Sequence, residues 1–160
     1  MANLSSIIPF AILTDSSNQG DALARENVAR NKAILLGLLK AAGARSAVVQ
    51  YSGYGDDGSV IGVQIFGADT MPMSILGDVQ IHDHDTRYEN AQWTYSPVVH
   101  VLPVDDAMTR LADLVVALHH AGYQDGDGGA GELNFDVESG RVWLDHRDYY
   151  TESIVTETEL

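Results

Sequence analysis

The sequence contains no cysteine, and basic residues are scarce. The absence of cysteine excludes disulfides, thiolate zinc sites, iron–sulfur clusters and a cysteine nucleophile. Only 9 of the 160 residues are Lys or Arg, against 23 Asp or Glu, so the formal net charge is -14 at pH 7. Such a chain repels a phosphate backbone unless its basic residues cluster. Direct nucleic-acid binding is therefore not expected.

Long hydrophobic runs are also missing. The apolar stretch at residues 7–13 is interrupted by Pro9, and no Lys or Arg precedes it. It is too short to span a bilayer and lacks the basic region of a secretory signal. We therefore expect a cytoplasmic protein with no membrane partner, and 160 residues of near-zero mean hydropathy (-0.07) predict one domain over 1–160.

The acidic residues are unevenly distributed. Residues 1–50 carry a net charge of +2, whereas residues 51–160 carry -16. A solvated acidic coat that favours solubility is one interpretation of this pattern. The other is an acidic surface that faces a partner.

Hydrophobic periodicity divides the domain into five segments. The two helical segments each have one apolar stripe, and the strand segments partly alternate between apolar and polar residues. This pattern predicts an α+β fold in which two amphipathic helices pack on one face of a mainly antiparallel sheet built from hairpins. The predicted segments are an N-terminal arm (1–20), a helix plus hairpin (21–66), an irregular β region (67–102), a second helix plus hairpin (103–148) and an acidic edge strand or tail (149–160).

The segment His82-Asp83-His84-Asp85 is the first candidate for chemistry. In an extended strand its imidazoles point to one face and its carboxylates to the other. His-x-His spacing occurs in metal sites, but His82 and His84 are only two ligands, and further donors have to come from elsewhere. An exposed polar edge is the structural alternative.

The loop that contains Asp125 and Asp127, with Glu132 after it, is the second candidate. Alternating Asp and Gly resemble the opening of a calcium loop, although the later EF-hand ligands are missing. Asp56 and Asp57 form a second acidic turn, which approaches the first if the two hairpins lie side by side. Gly and Asp are equally common in ordinary turns. A divalent cation (Ca, Mg, Mn or Zn) is the one cofactor that we consider, and no catalytic residue is assigned.

Several stretches of the chain resemble a known family. They are Ala-Ala-Gly at 41–43, Val-Val-Gln-Tyr-Ser-Gly-Tyr-Gly-Asp-Asp-Gly at 48–58, the glycine-rich stretch and strand at 122–137, and Leu-Asp-His at 144–146. Together they resemble an uncharacterised family of small bacterial domains found on plasmids and other mobile elements. The resemblance implies that context but no activity.

Two functions remain open from the sequence. The first is a non-enzymatic acidic binding protein of a bacterial mobile element or phage that engages a basic protein, with nucleic-acid mimicry as one form. Its partner-binding residues are expected to be Asp56, Asp57, Asp125, Asp127, Glu132, Asp145 and Asp148.

The alternative is a divalent-metal-binding domain or a metal-dependent hydrolase, in which a metal-bound water supplies the nucleophile. Its expected ligands are Asp125, Asp127, Glu132, His82 and His84. Enzymatic activity is left open, with the binding role favoured, and homo-oligomerisation is also left open.

Overall fold

The computed structural model describes the backbone of residues 8–160 and the side-chain environments of residues 18–160. This part of the chain forms two α-helices, seven β-strands and a short 3₁₀ turn at Ala68–Thr70. In chain order the elements are α1 (Ile8–Ala41), β1 (Ser46–Tyr54), β2 (Asp57–Phe66), β3 (Pro72–Met73), β4 (Asp78–Glu89), β5 (Gln92–Pro103), α2 (Val104–His119), β6 (Gly129–Asp136) and β7 (Arg141–Asp148).

Five strands form an antiparallel sheet in the order β3-β2-β1-β6-β7, and β4 and β5 form a separate hairpin. The predicted α+β class is confirmed. Strand β1 lies at the centre, and its alternating pattern places Ala47, Val49 and Tyr51 on the buried face. Because β1 pairs with both β2 and β6, residues far apart in the chain meet on that face.

Both helices contribute to one hydrophobic core on this face of the sheet. Each fully buried Leu or Phe side chain contributes about 1.5–3 kcal/mol relative to an exposed one, so this core is the main source of stability. The apolar stripe of α2 that the sequence predicts is buried almost throughout. Representative core residues are Leu35 and Leu39 of α1, Met108 and Leu111 of α2, Val49 of β1, and Leu133 and Phe135 of β6.

Helix α1 begins earlier than its sequence predicts. The predicted arm over 1–20 and the helix start at Asp21 are replaced by a helix that begins at Ile8, while residues 1–7 lie outside the described part. Once a helix is nucleated, each further residue adds a hydrogen bond, so a polar stretch can continue it. Packing favours the continuation: Gly20 lies beneath the ring of Tyr95, where a Cβ atom would come within 2.7 Å of Cε1.

The prediction of irregular β structure over 67–102 is wrong for most of that segment. Strands β4 and β5, each of twelve residues, form a regular hairpin with continuous pairing from Asp78↔Pro103 to Glu89↔Gln92. The turn residues Asn90 and Ala91 both have positive φ (52° and 61°), as a two-residue hairpin turn requires. Residues 149–160 form no regular structure and are exposed, so of the two predicted alternatives the tail is observed.

Candidate functional site

Two acidic loops meet at one end of the five-stranded sheet. The Asp56 N–H donates to the Gln124 carbonyl (3.2 Å), which joins the β1–β2 turn to the loop before β6. The Tyr149 N–H donates to the Gly128 carbonyl (2.9 Å), which brings the end of β7 to the same loop. The two hairpins lie side by side because β1 pairs with β6, so the condition on which this approach depended is met. We call this region the acidic end and define it by the exposed residues Asp56, Asp57, Asp125, Asp127 and Asp148.

Glycine makes this close approach sterically feasible. Gly128 has φ +80°, and a Cβ atom there would overlap the Gly53 carbonyl oxygen. At Gly53, a Cβ atom would come within 2.7 Å of both the Tyr123 ring and the Gln124 side chain. The loop can therefore lie directly on β1 only because both positions are glycine.

Glu132 and Asp145 were predicted to belong to the same partner surface, but they lie elsewhere. They pair across β6 and β7 on the other face of the sheet, which carries mainly polar side chains. The Gln50 side-chain amide donates to Glu132 (3.1 Å), and the Trp143 indole N–H donates to Asp145 (3.2 Å). These two carboxylates are therefore not part of the acidic end.

Exposed tyrosines accompany the carboxylates of the acidic end. Tyr54 is 77% exposed at the end of β1, and Tyr149 and Tyr150 are 51% and 83% exposed directly after β7. Trp143 is not part of this group: it lies beneath the Arg141 guanidinium, whose Cζ is 4.3 Å from the ring centroid. Phenol rings beside carboxylates form a surface suited to cations.

Beneath the acidic end, three side chains form a hydrogen-bonded chain. The Tyr51 hydroxyl lies 2.6 Å from Nδ1 of His146, and Nε2 of His146 lies 2.9 Å from a carboxylate oxygen of Asp148. The Asp148 carboxylate can only accept, so in the neutral imidazole Nε2 carries the hydrogen and Nδ1 accepts from Tyr51. Burial, with smaller contributions from Tyr123 and Asp148, raises the pKa of Tyr51 to about 12, which keeps this hydroxyl protonated.

Two further rings complete this cluster. His120 stacks on His146 with ring centroids 3.8 Å apart, and Tyr123 meets Tyr51 edge to face at 5.2 Å. Burial, followed by the neighbouring His146, lowers the pKa of His120. Tyr51 and His120 are therefore uncharged at neutral pH.

A cavity of about 270 Å³ opens beside the cluster. Its walls come from the C-terminal half of α2, from β2 and from the loop that contains Tyr123, and its lining includes Tyr51, Asp113 and His120. Burial raises the pKa of the Asp113 carboxyl, and Arg110 partly offsets the shift. The cavity thus combines apolar walls with one carboxylate.

The His82–Asp85 segment lies in β4 and is therefore extended, and several of its polar groups hold the hairpin to the helices. Asp83 is 2% exposed and accepts a hydrogen bond from Nε of Arg110 on α2 (2.6 Å). Asn31 of α1 bonds both the backbone N–H and the carbonyl of His82 at 2.7 Å, and the Asn27 amide lies 3.3 Å from Nδ1 of His84. These contacts attach the β4–β5 hairpin to the two helices.

The predicted metal ligands are not gathered into one site. Within the described part of the chain, no group of three or more His, Asp or Glu side chains is arranged to hold a metal ion. Asp125 and Asp127 lie in an exposed loop, Glu132 lies on the polar face of the sheet, and His82 and His84 lie on β4. A metal site at these residues remains a prediction from the sequence alone.

The aromatic–histidine cluster was missed by the sequence analysis. Gly129 and Gly131 alternate along β6, and a Cβ atom at Gly131 would overlap the Tyr51 hydroxyl. Glycine within a strand often marks the close approach of another group, so this Gly-x-Gly pattern was a signal that a bulky side chain lies opposite.

The fold and this site define an α+β protein with an acidic, tyrosine-bearing surface above a partly buried aromatic–histidine cluster. The sequence model of the family DUF6878, a family of unknown function, matches residues 27–160, and the chain belongs to that family. Among curated proteins and among solved structures, none matches the chain. In the described residues, no helix has the length and apolar character needed to cross a membrane.

Proposed function

We propose that this chain is a non-enzymatic acidic binding protein of a bacterial mobile element or phage. In this proposal it acts in the cytoplasm and engages a basic protein through the acidic end. The main support is the joining of Asp56, Asp57, Asp125, Asp127 and Asp148 into one exposed surface by backbone hydrogen bonds. A concentrated negative surface steers a basic partner and accelerates association.

The residue types at the acidic end favour a basic protein over other cations. Carboxylates accept the paired N–H groups of arginine, and the exposed rings of Tyr54 and Tyr149 offer faces for cation–π contacts. A surface that presents carboxylates can occupy a site built for phosphates. Nucleic-acid mimicry is therefore one form of the proposed function.

A charge-matched pair of variants tests the surface. One variant replaces Asp56, Asp57, Asp125 and Asp127 by Asn. The control neutralises the same number of exposed acidic residues elsewhere, through Asp69→Asn, Asp78→Asn, Glu89→Gln and Glu138→Gln. Both variants carry the same net charge, so a difference between them reports the location of the charge.

The ligand is a synthetic peptide with four arginines spaced by Gly and Ser, with a glutamine version as the blank. We expect the acidic-end variant to bind it about tenfold more weakly than the control variant. Binding to the wild type should weaken as salt rises from about 50 to 300 mM, because exposed charges are screened. Equal affinity of the two variants, or no preference for arginine over glutamine, would contradict the proposal.

Thermal unfolding with added ions separates this function from the metal alternative. A metal that binds the folded state raises the melting temperature. An increase with Ca, Mg, Mn or Zn that the acidic-end variant abolishes and the control variant retains would favour a metal site over a basic partner. We expect no such difference between the two variants.

A further inference from the structure

The cavity beside the acidic end has the properties of a site for one cationic side chain. It lies between the C-terminal half of α2, β2 and the loop at Tyr123. We propose that it holds an arginine side chain of the basic partner, with the Asp113 carboxylate as the counter-ion. This inference rests on the proposed function and specifies which group of the partner is recognised.

The size and walls of the cavity suit one extended side chain. Its volume of about 270 Å³ lies below the roughly 300–1,000 Å³ of pockets for drug-sized ligands. Val60, Ala112 and Val116 provide apolar walls. The methylene stem of arginine packs well on such walls while its charged end reaches a polar group.

Asp113 provides that polar group. Asp113 lines the cavity and burial raises the pKa of its carboxyl, although the residue as a whole is exposed to solvent. The neighbouring Arg110 directs its guanidinium to Asp83. Among the side chains that the structure describes, none forms an ion pair with Asp113. An incoming arginine can therefore pair with the Asp113 carboxylate at the cavity wall.

The surrounding groups favour a cation as well. The C-terminal end of α2 carries the negative end of the helix dipole, next to the cavity. His120 at the cavity wall has a lowered pKa and adds no positive charge at neutral pH. Tyr123 provides an aromatic ring, on which a planar, weakly hydrated guanidinium stacks better than an ammonium group. These features favour arginine over lysine.

The cavity is continuous with the acidic end. Gly58 and Gln124 both line it, and these residues adjoin the contact in which the Asp56 N–H donates to the Gln124 carbonyl. Asp57 lies close enough to Tyr123 to contribute to its raised pKa, after burial and Asp113. A basic peptide that lies across the acidic end can therefore insert one arginine.

A short peptide, acetyl-Gly-Arg-Gly-amide, tests the cavity by amide chemical-shift changes in the full-length protein. We expect the largest shifts at residues 112–117 and 120–124, and about tenfold weaker binding by the Asp113→Asn variant. Asp78→Asn is the single-charge control. Ala117→Met fills the cavity from an exposed helix position without changing charge, and it should weaken binding to a similar extent.

Replacing arginine by citrulline keeps the shape of the peptide and removes its charge, so the shifts should disappear. Equal binding of citrulline, unchanged affinity in Asp113→Asn, or shifts confined to the exposed loops would overturn the cavity assignment. If Asp113→Asn and Ala117→Met bind normally while the fourfold acidic-end variant loses the four-arginine peptide, the cavity assignment fails and the proposed function stands. If the fourfold variant and its charge-matched control bind that peptide equally, the proposed function fails.

Discussion

Removing Arg110 should leave a buried charge without its main partner. Asp83 is 2% exposed and lies between the β4–β5 hairpin and α2. Its carboxylate accepts hydrogen bonds from Nε and Nη2 of Arg110 and from the His84 N–H (2.8 Å), while Nε2 of His100 lies 3.5 Å away. In the Arg110→Met variant, the hydrogen-bonding groups left near the carboxylate among the described residues belong to His84 and His100.

The expected loss follows from the burial of the two partners. Breaking a buried pair by removing one charge costs about 3–5 kcal/mol, whereas exposed pairs are worth about 1 kcal/mol or less. Because the Arg110 side chain is 43% exposed, solvent screens its interaction with Asp83. We therefore expect Arg110→Met to lower the free energy of unfolding by about 2 kcal/mol. In a protein of this size that loss lowers the melting temperature by about 4–8 °C.

Urea and thermal unfolding, followed by circular dichroism, measure this effect. Arg87→Met on the exposed part of β4 is the matched control and should change stability by about 0.5 kcal/mol or less. The double variant Asp83→Asn/Arg110→Met should lose less than the sum of the single changes, because it leaves no buried charge unpaired. The reasoning is refuted if Arg110→Met is no more destabilising than Arg87→Met.

Three further predictions concern the aromatic–histidine cluster. Gly131→Ala should lower the free energy of unfolding, measured in urea, by about 1–3 kcal/mol, because its Cβ would overlap the Tyr51 hydroxyl. Gly62→Ala is the control and should be close to neutral, because its Cβ would meet its nearest neighbour at 3.7 Å. Equal losses of stability in the two variants would contradict this prediction. Because the pKa of His120 is lowered in the folded state, the unfolded chain binds more protons than the folded one just below pH 6.5, and wild-type stability should rise with pH in that range. The melting temperature of His120→Gln should depend less on pH. An unchanged slope of melting temperature against pH would count against a lowered pKa at His120. In a phenolate absorbance titration of the folded protein, the wild type should show a tyrosine that ionises near pH 12, and Tyr51→Phe should lack it. Because the folded-state pKa lies above the unfolded value of 10, the stabilising contribution of Tyr51 is lost as the pH rises from about 10 to about 12. Identical titration curves for the two proteins would show that Tyr51 is not the tyrosine with the raised pKa.

Periodicity predicted the elements whose residues mark their own boundaries. In the segment over 103–148 that was predicted to open with a helix, α2 begins at Val104, where Pro103 precedes it and two aspartates follow. The two hairpins of the five-stranded sheet were also predicted, although their strands extend a few residues further into the glycine-rich loops. Local sequence was sufficient for these elements because packing in the core favours the same helix and the same strands.

Local signals failed where tertiary contacts override composition. The polar residues before Asp21 indicate a loop, but α1 continues through them and packs Gly20 against Tyr95. In the β4–β5 hairpin, Pro97 is a residue type that often interrupts a strand, because its nitrogen carries no hydrogen to donate. A strand paired on one edge only can accommodate the missing N–H of proline, and β5 pairs with β4 alone in the described residues.

For the candidate site too, some features could be predicted from the sequence and others depend on the tertiary structure. The sequence identified the acidic loops and made their approach depend on the hairpins lying side by side. Nothing in it indicated that Asp113 faces a cavity or that Glu132 and Asp145 lie on the other face of the sheet. Strand alternation assigns a residue to one of two faces without fixing which strand lies beside it. The metal interpretation of His82 and His84 depended on further ligands, and in the described part of the chain no group of three or more His, Asp or Glu side chains is arranged to hold a metal ion.

The sequence alone determined the absence of thiol chemistry, the net charge of -14 and its concentration after residue 50, and the α+β class. These properties depend on composition and on local periodicity, which folding does not alter. Only the tertiary structure decided that Tyr51 meets His146, 95 residues away, and that Asp83 meets Arg110. Such contacts depend on strand order and register, which arise from the packing of the whole core rather than from any one segment.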